Sequence, residues 1–464
     1  MTRGSTVVVM LPLMLALFVA SLDQTIVTTA LPPIARDLHG TATDVPWIAT
    51  AYLLTSAVST LVFGKLGDMY GRKRIFQFSL SVFLCGSLLC ATADSVPYLA
   101  LCRALQGIGG GSIISLVMAV TGDLAAPRQR ARHQALLGMV AALALVAGPL
   151  LGGAFADGLS WRWIFYVNLP IGAVAFVVVA LRLHLPRPAE AAGRVDVLGA
   201  LVAAVFTTSV VLVTTWGGDR YAWGSPVILA LIALGGASLV LYLFVERRAG
   251  DPITPLRLFR RPVFALASAQ YLLVGMVLFA GMLYVPMFLQ LVQRKSAFEA
   301  GLFVIPLLLG LVAAAALSGP VIARTGRYKF YPVTGAVLAG GAMALVSRAG
   351  PHTGALWLIV PLAVAGAGTG FFVQVALLAG QNTVGHEDVG AATAVLNFCR
   401  TLGGAFGTAL FGAILAAGLH SPRPGAAEST AAFHAVFGWT VPLMAVAFVL
   451  AFAMREEPLS ERRS

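Results

Sequence analysis

The sequence predicts an all-α membrane protein of fourteen transmembrane helices: two six-helix bundles with two further helices inserted between them. Three observations predict it. Apolar residues make up 59% of the 464 positions and charged residues only 11%, where a soluble domain carries about 25%. Apolar runs near 20 residues, the length that crosses a bilayer core, recur along the whole chain. A basic loop and a pair of glycines recur at a fixed offset.

The runs cover approximately 7–31, 46–66, 75–93, 97–122, 134–155, 162–183, 195–215, 226–246, 263–291, 300–323, 330–348, 355–381, 390–418 and 434–454. The connections are short, so no soluble domain is expected. The first run lacks a small-residue cleavage site before Asp23 and reads as a retained helix rather than a signal peptide. Lys65–Arg74, Arg128–Arg132, Arg182–Arg194, Arg247–Arg261 and Arg324–Lys329 fall on alternate connections, while Trp216–Ser225 and His420–Thr430 are poor in basic residues. The positive-inside rule then orients both termini to the cytoplasm of a plasma or inner membrane. The net charge of +12 follows that alternation, so its partner is the bilayer and not nucleic acid.

The repeat is read from two loops. Gly64-Lys65-Leu66-Gly67-Asp68-Met69-Tyr70-Gly71-Arg72-Lys73-Arg74 follows the second run, and Gly319-Pro320-Val321-Ile322-Ala323-Arg324-Thr325-Gly326-Arg327-Tyr328-Lys329 follows the tenth. Both glycines, Arg72 with Arg327, and the last basic residue align at an offset of 255 residues (64 to 319), which also carries Gly148 onto Gly403 and Gly152 onto Gly407. The expected domains are 1–183, a linker with the inserted helices over 184–262, and 263–464. Two such halves around a midplane site are a transporter architecture.

The chemistry centres on Asp23, the one acid deep inside an apolar run. A carboxylate at that depth costs roughly 2.5–3.5 kcal/mol on insertion scales. It is either a structural group reaching an interface or a hydrogen-bond partner, or a site that takes up and releases a proton or cation. Arg103 is the second deep charge. At a rise of 1.5 Å per residue, Arg103 lies ~9 Å and Asp23 ~12 Å below the same end of their helices. At one depth the two can neutralise each other, as a structural ion pair or as a coupled one.

Other positions follow from simpler physics. Gly64 and Gly71 allow a tight turn and close helix contact. Asp68 can accept from helix amides or pair with an Arg, and Arg72, Lys73 and Arg74 hold the loop at the cytoplasmic face. The fifth run carries Ala147-Gly148-Pro149-Leu150-Leu151-Gly152-Gly153, and Gly with Pro thins and bends a helix so that a neighbour approaches. Arg400 has no acid in its own half's runs; it faces a cavity, bonds carbonyls or holds an anionic group. Tyr52, Gln270, Tyr284, Gln374 and Asn397 are candidate substrate-cavity groups because they are polar or aromatic inside core runs. The four cysteines lie in apolar runs without metal-ligand spacing and read as packing thiols. No metal or cofactor is expected.

Several of these strings resemble one family. The loop Gly64–Arg74 resembles, at every defining position, the loop 2–3 signature of the major facilitator superfamily, where it latches the halves in the outward-facing state; Ala323 replaces the acid in the second copy. Leu99-Ala100-Leu101-Cys102-Arg103-Ala104-Leu105-Gln106-Gly107 resembles the family's span 4 signature, whose Arg is linked to proton transfer. The Gly148–Gly153 run resembles the antiporter signature, typical of exporters, which seals the contact between the halves. Trp161-Arg162-Trp163-Ile164-Phe165-Tyr166-Val167-Asn168-Leu169-Pro170, with Leu22-Asp23-Gln24-Thr25-Ile26-Val27 and fourteen runs, resembles the fourteen-helix drug:proton antiporters of the EmrB/QacA type.

The resemblance implies a proton-coupled antiporter, a monomer, exporting amphipathic cationic or neutral drugs or antibiotics. The alternative is a narrow-specificity exporter of one metabolite or self-made antibiotic. Burial favours a neutral acid and a nearby guanidinium favours the anion, so motion of Arg103 relative to Asp23 would switch proton binding. Each proton brings about 2.3 kcal/mol per 100 mV of membrane potential. The rival classes fit less well. An ATP-driven pump lacks its Gly-x-x-x-x-Gly-Lys-Ser/Thr loop, and a membrane enzyme lacks clustered reactive groups in the runs. A channel would show no proton counterflow, and the glycine-proline run counts against a symporter.

Overall fold

Helix boundaries follow the chain's capping and breaking residues. The computed structural model describes residues 3–41, 44–124, 127–183, 197–217, 221–248, 254–384, 389–419, 425–454 and 456. The helices are α1 (Arg3–Asp37), α2 (Val45–Tyr70), α3 (Arg72–Ala91), α4 (Val96–Leu124), α5 (Pro127–Gly158), α6 (Trp163–Tyr166), α7 (Asn168–Arg182) and α8 (Val197–Trp216). They continue as α9 (Pro226–Arg248), α10 (Pro262–Leu291), α11 (Ala297–Thr325), α12 (Phe330–Val346), α13 (Ala355–Asn382), α14 (Val389–Ala417), α15 (Ala426–Gly438) and α16 (Thr440–Ala453). Ser296 and Glu299 form a capping box at the start of α11: Glu299 N donates to Ser296 Oγ at 3.1 Å and Ser296 N to Glu299 Oε2 at 3.0 Å. This satisfies two amides that the first turn leaves without a helical partner.

The repeated loops share a backbone device. Gly71 separates α2 from α3 with φ at 94°, and Gly326 ends α11 with φ at 69°. Both lie where an L side chain is strained and glycine is not. The turns themselves differ, because ψ is 120° at Gly71 and −6° at Gly326, so the matched glycines share a positive φ and not one turn type.

The chain forms two compact units, Met1–Ser209 with Ala233–Ile253, and Val210–Ile232 with Thr254–Ser464. In the first, Leu13 and Leu17 of α1, Phe76, Leu80 and Phe83 of α3, and Ile113, Leu116 and Val117 of α4 make one buried cluster. In the second, α10 is buried along nearly its whole length. Large apolar side chains such as Leu101, Leu317 and Phe452 point outward, which suits a hydrocarbon solvent and would be costly in water.

The expected count of fourteen spans is corrected to twelve. Among the described residues, twelve helical segments are long and apolar enough to cross a bilayer, with α6 and α7 making one and α15 and α16 another. The apolar stretches of α8 and α12, Leu198–Thr214 and Phe330–Val346, fall below that length. Seventeen residues reach only ~25 Å at 1.5 Å each, short of a core near 30 Å. The pair of inserted spans fails with the count, because between α7 and α10 only α9 qualifies. Apolar composition alone did not separate a short helix from a spanning one.

Candidate functional site

The site is built where α1, α3, α4 and α7 of the first unit converge. Small residues bring the helices together. A Cβ added at Gly86 would lie 2.8 Å from the backbone of Gln106, so α3 and α4 touch there and Ser87 is carried to the Gln106 side chain. Gln106 lies three positions after Arg103 on α4, which places both on one helix face. Asn168 opens α7, one residue beyond the short helix α6. That turn is held at its far side by Asp37, which accepts from Trp161 Nε1 and Arg162 Nη1, each at 2.8 Å, while Arg162 Nη2 donates to Ala93 O at 3.1 Å.

Asp23 is wholly buried and Arg103 is 1% exposed. They form an ion pair through Arg103 Nη1 and Asp23 Oδ2. The other carboxylate oxygen, Oδ1, accepts from Gln106 Nε2 and from Asn168 Nδ2, both at 2.9 Å. Among the described residues, all three hydrogen-bond partners of the carboxyl are donors, which is the set an anion requires. Arg103 Nη1 also donates to Gln106 Oε1 at 2.7 Å. Ser87 Oγ accepts from Gln106 Nε2 at 3.1 Å and Asn168 Nδ2 at 3.0 Å, and donates to Phe165 O at 2.9 Å. Cys90 Sγ lies 3.5 Å from Gln106 Oε1.

Aromatic rings close the site. The Arg103 guanidinium carbon sits 4.1 Å from the Tyr52 ring centroid and 5.9 Å from that of Phe165, an arrangement that favours a desolvated cation. Tyr52 Oη donates to Ala20 O at 3.4 Å. Two opposite charges in a low-dielectric interior repay their desolvation only with good geometry and further hydrogen bonds, and this network supplies both.

The glycine-proline run of α5 lies against the helix that carries Asp23. A Cβ at Gly148 would overlap Thr25 Oγ1, and one at Gly152 would overlap the Ile26 carbonyl. Thr29 Oγ1 donates to Pro149 O at 3.2 Å, and Gly153 is buried. The run therefore clasps α1 within the first unit, just past Asp23.

In the loop after α2, Arg72 Nη1 donates to Ala119 O of α4, and Lys73 Nζ to Ala180 O of α7 at 2.8 Å. A Lys on the last-turn carbonyls of α7 is favourable with the helix dipole. Arg74 is exposed. A Cβ at Gly64 would lie 2.9 Å from Ser115 Oγ. The side chain of Asp68 lies outside the described residues.

The candidate cavity residues fall in both units. Tyr52 belongs to the Asp23–Arg103 cluster. In the second unit, Tyr284 Oη donates to Thr408 O at 2.6 Å and its ring meets Phe411 edge-on, so it packs α10 on α14. Gln270 is wholly buried with neither amide atom hydrogen-bonded. Gln374, Asn397 and Arg400 are half-buried, and among the described residues no hydrogen bond or ion pair is present at Arg400.

Sequence reasoning missed Gln106, Asn168 and Ser87 as members of the site. Gln106 carried a signal, three residues from Arg103. Asn168 carried one too, an amide inside an apolar helix. Ser87 carried none, because a lone serine in a membrane helix is commonplace.

Similarity to known proteins agrees with this architecture. The family described as Major Facilitator Superfamily matches residues 13–408. An uncharacterized MFS-type transporter of Mycobacterium tuberculosis is 38% identical over 480 residues, covering 97% of this chain and 69% of its own. A multidrug transporter protein of Bacillus subtilis is 34% identical over 403 residues, covering 87% and 74%. Among solved structures, a bacterial homolog of the human lysosomal transporter Spinster, inward-facing and unoccupied, superposes with a TM-score of 0.72 at 16% identity over 98% of each chain; at that identity the likeness concerns the fold.

Proposed function

The chain belongs to the major facilitator superfamily, a family of multi-pass membrane transporters and not enzymes, and from that premise we propose that it exports amphipathic drugs or antibiotics in exchange for protons. The observation that carries the proposal is the buried Asp23–Arg103 pair. A carboxyl held among donors on neighbouring helices can give up its guanidinium when those helices shift, and it then takes a proton instead. The relatives named as multidrug and efflux proteins support the direction of transport and the kind of cargo. Alternating opening would carry the proton inward and the drug outward.

In this reading the loop Gly64–Arg74 latches one conformation, the α5 glycines tie α1 to α5 during the cycle, and Gln270, Gln374, Asn397 and Arg400 of the second unit contact substrate. The membrane is the plasma or inner membrane, with both termini in the cytoplasm, as the distribution of basic loops supports.

The test uses the full chain in proteoliposomes with an imposed pH gradient and a fluorescent cationic dye. Gradient-driven dye movement with matching proton counterflow is expected, and Asp23→Asn should abolish both while leaving the protein folded. Full coupled transport by Asp23→Asn would reject Asp23 as the proton carrier. One observation favours a narrower cargo range. Arg400 stands without an acid among its described neighbours, and such a group selects against doubly cationic drugs. A resistance panel distinguishes the two readings by whether one compound or many is exported.

A further inference from the structure

A protonated carboxyl buried in a protein needs something that a carboxylate does not: an acceptor for its O–H. In this site the acceptors are nearly exhausted. Gln106 Oε1 is taken by Arg103 and Cys90, and Ser87 Oγ by the two amide nitrogens. Two buried polar atoms have no partner here, Arg103 Nε and Asn168 Oδ1. The first is a donor and cannot help an acid. The second is an acceptor on a side chain that already touches Asp23 Oδ1 through its nitrogen, at 2.9 Å.

We infer that Asn168 is a two-position amide switch for Asp23: its Nδ2 holds the carboxylate, and after rotation of the amide its Oδ1 accepts the O–H of the protonated acid. The inference rests on the reading of Asp23 as the proton carrier and adds the residue that accommodates each state. An amide rotated half a turn exchanges a donor for an acceptor at nearly the same place. Nothing is transferred to Asn168 itself. The proton stays on Asp23, and the hydrogen bond between the two side chains reverses direction. Ser87 sets the bias, because its Oγ accepts the second N–H of Asn168 and holds the amide in the anion-binding position. The other ionisable groups facing the carboxyl are Arg103 from α4, Tyr52 from α2 and Cys90 from α3. Tyr52 Oη is the rival acceptor.

The test is infrared difference spectroscopy of the full chain in liposomes between acidic and neutral buffer. The carboxylic C=O band of Asp23 is assigned as the band lost in Asp23→Asn. If no band is lost, Asp23 does not titrate and the proton-carrier reading fails before Asn168 is touched. With the band assigned, Asn168→Leu should move it to higher frequency, as its hydrogen bond disappears, whereas Asn168→Ser, whose hydroxyl can donate or accept, should keep it near its original position. A band unmoved in Asn168→Leu, or moved instead by Tyr52→Phe, overturns the switch. Should Asn168→Leu not reach the membrane, Ser87→Ala gives an independent reading. Releasing the amide should raise the acid-to-anion ratio of Asp23 at a fixed pH by about 2- to 10-fold, the value of one net hydrogen bond. An unchanged ratio would overturn the inference equally.

Discussion

Removing Arg103 leaves Asp23 as a buried charge with two amide donors and no counter-ion, and the size of the effect can be worked from the network. Breaking a buried ion pair by truncating one partner costs about 3–5 kcal/mol. Gln106 and Asn168 continue to donate to Oδ1, and bonds to charged groups contribute about 1.5–3 kcal/mol each, so the anion is not wholly abandoned. Arg103→Met is therefore expected to destabilise the first unit by about 3–5 kcal/mol at neutral pH. The guanidinium's place over the Tyr52 ring is taken by a thioether that keeps some of that contact. Asp23→Asn alone leaves Arg103 buried without its counter-ion and should cost a similar amount. The double variant Asp23→Asn with Arg103→Met removes both charges and should recover most of the loss, because replacing a buried pair by neutral groups is often close to neutral. The measurement is a double-mutant cycle by chemical unfolding in detergent, followed by intrinsic tryptophan fluorescence, to which Trp161, edge-on to Phe165, contributes. A coupling of 2 kcal/mol or more is the expected scale for contacting charges (range about 0.5–3 kcal/mol for coupled neighbours). A double variant no more stable than Arg103→Met would refute the argument, since it would mean that the two charges do not compensate each other.

Two further predictions concern the scaffold. Gly71→Ala places a Cβ at a φ of 94° and a ψ of 120°, a sparsely populated region, and should cost about 1–3 kcal/mol; Gly326→Ala, in the left-handed region, should cost about 1–2 kcal/mol, and a free substitution at either would remove the argument for a glycine at that turn. Gly152→Val sets a branched side chain against the Ile26 carbonyl and must push α5 off α1, so transport should fall at least tenfold while Gly138→Val, whose added Cβ meets nothing, leaves the transport rate within twofold. Equal losses at both positions would show that glycine content of α5, rather than its contact with α1, is what matters.

What the sequence made legible differs between scaffold and chemistry. The depth of Asp23 and Arg103 could be reckoned from helix rise, because each lies in a long uniform apolar run. Gly71 could be singled out because a turn between two helices needs a residue free of Cβ strain. The number of spans could not be read safely, since Leu198–Thr214 and Phe330–Val346 are as apolar as their neighbours and differ only in how far the helix extends. Asn168 and Ser87 escaped because their importance is relational. Each is an ordinary polar side chain until Gly86 lets α3 meet α4 and the α6 turn swings α7 toward Asp23.

The repeat bears on the chemistry in a way that its own symmetry hides. Both copies place a positive-φ glycine at the matched turn, yet the charged pair exists in one copy. The helices of the second unit that answer to α1 and α4 are α10 and α13, and neither contains a charged residue along its length; α1 carries a carboxylate among three donors, whereas α10 carries Gln270, buried and unbonded. A shared scaffold does not require a shared active group. A single titrating carboxyl needs only one helix pair to sense, and a second buried acid would need its own counter-ion or an insertion cost near 3 kcal/mol. If Asp23 carries the proton as proposed, a one-sided network is the less expensive way to tie its charge to a helix movement. It also makes a definite demand: the signal must leave α1 through its neighbours. The α5 clasp at Thr25, Ile26 and Thr29 begins one turn or less beyond Asp23, so any tilt of α1 that loosens Arg103 must also be felt by α5. For that reason Gly152→Val should uncouple transport without disturbing the carboxylic band of Asp23, whereas Asn168→Leu should disturb the band first.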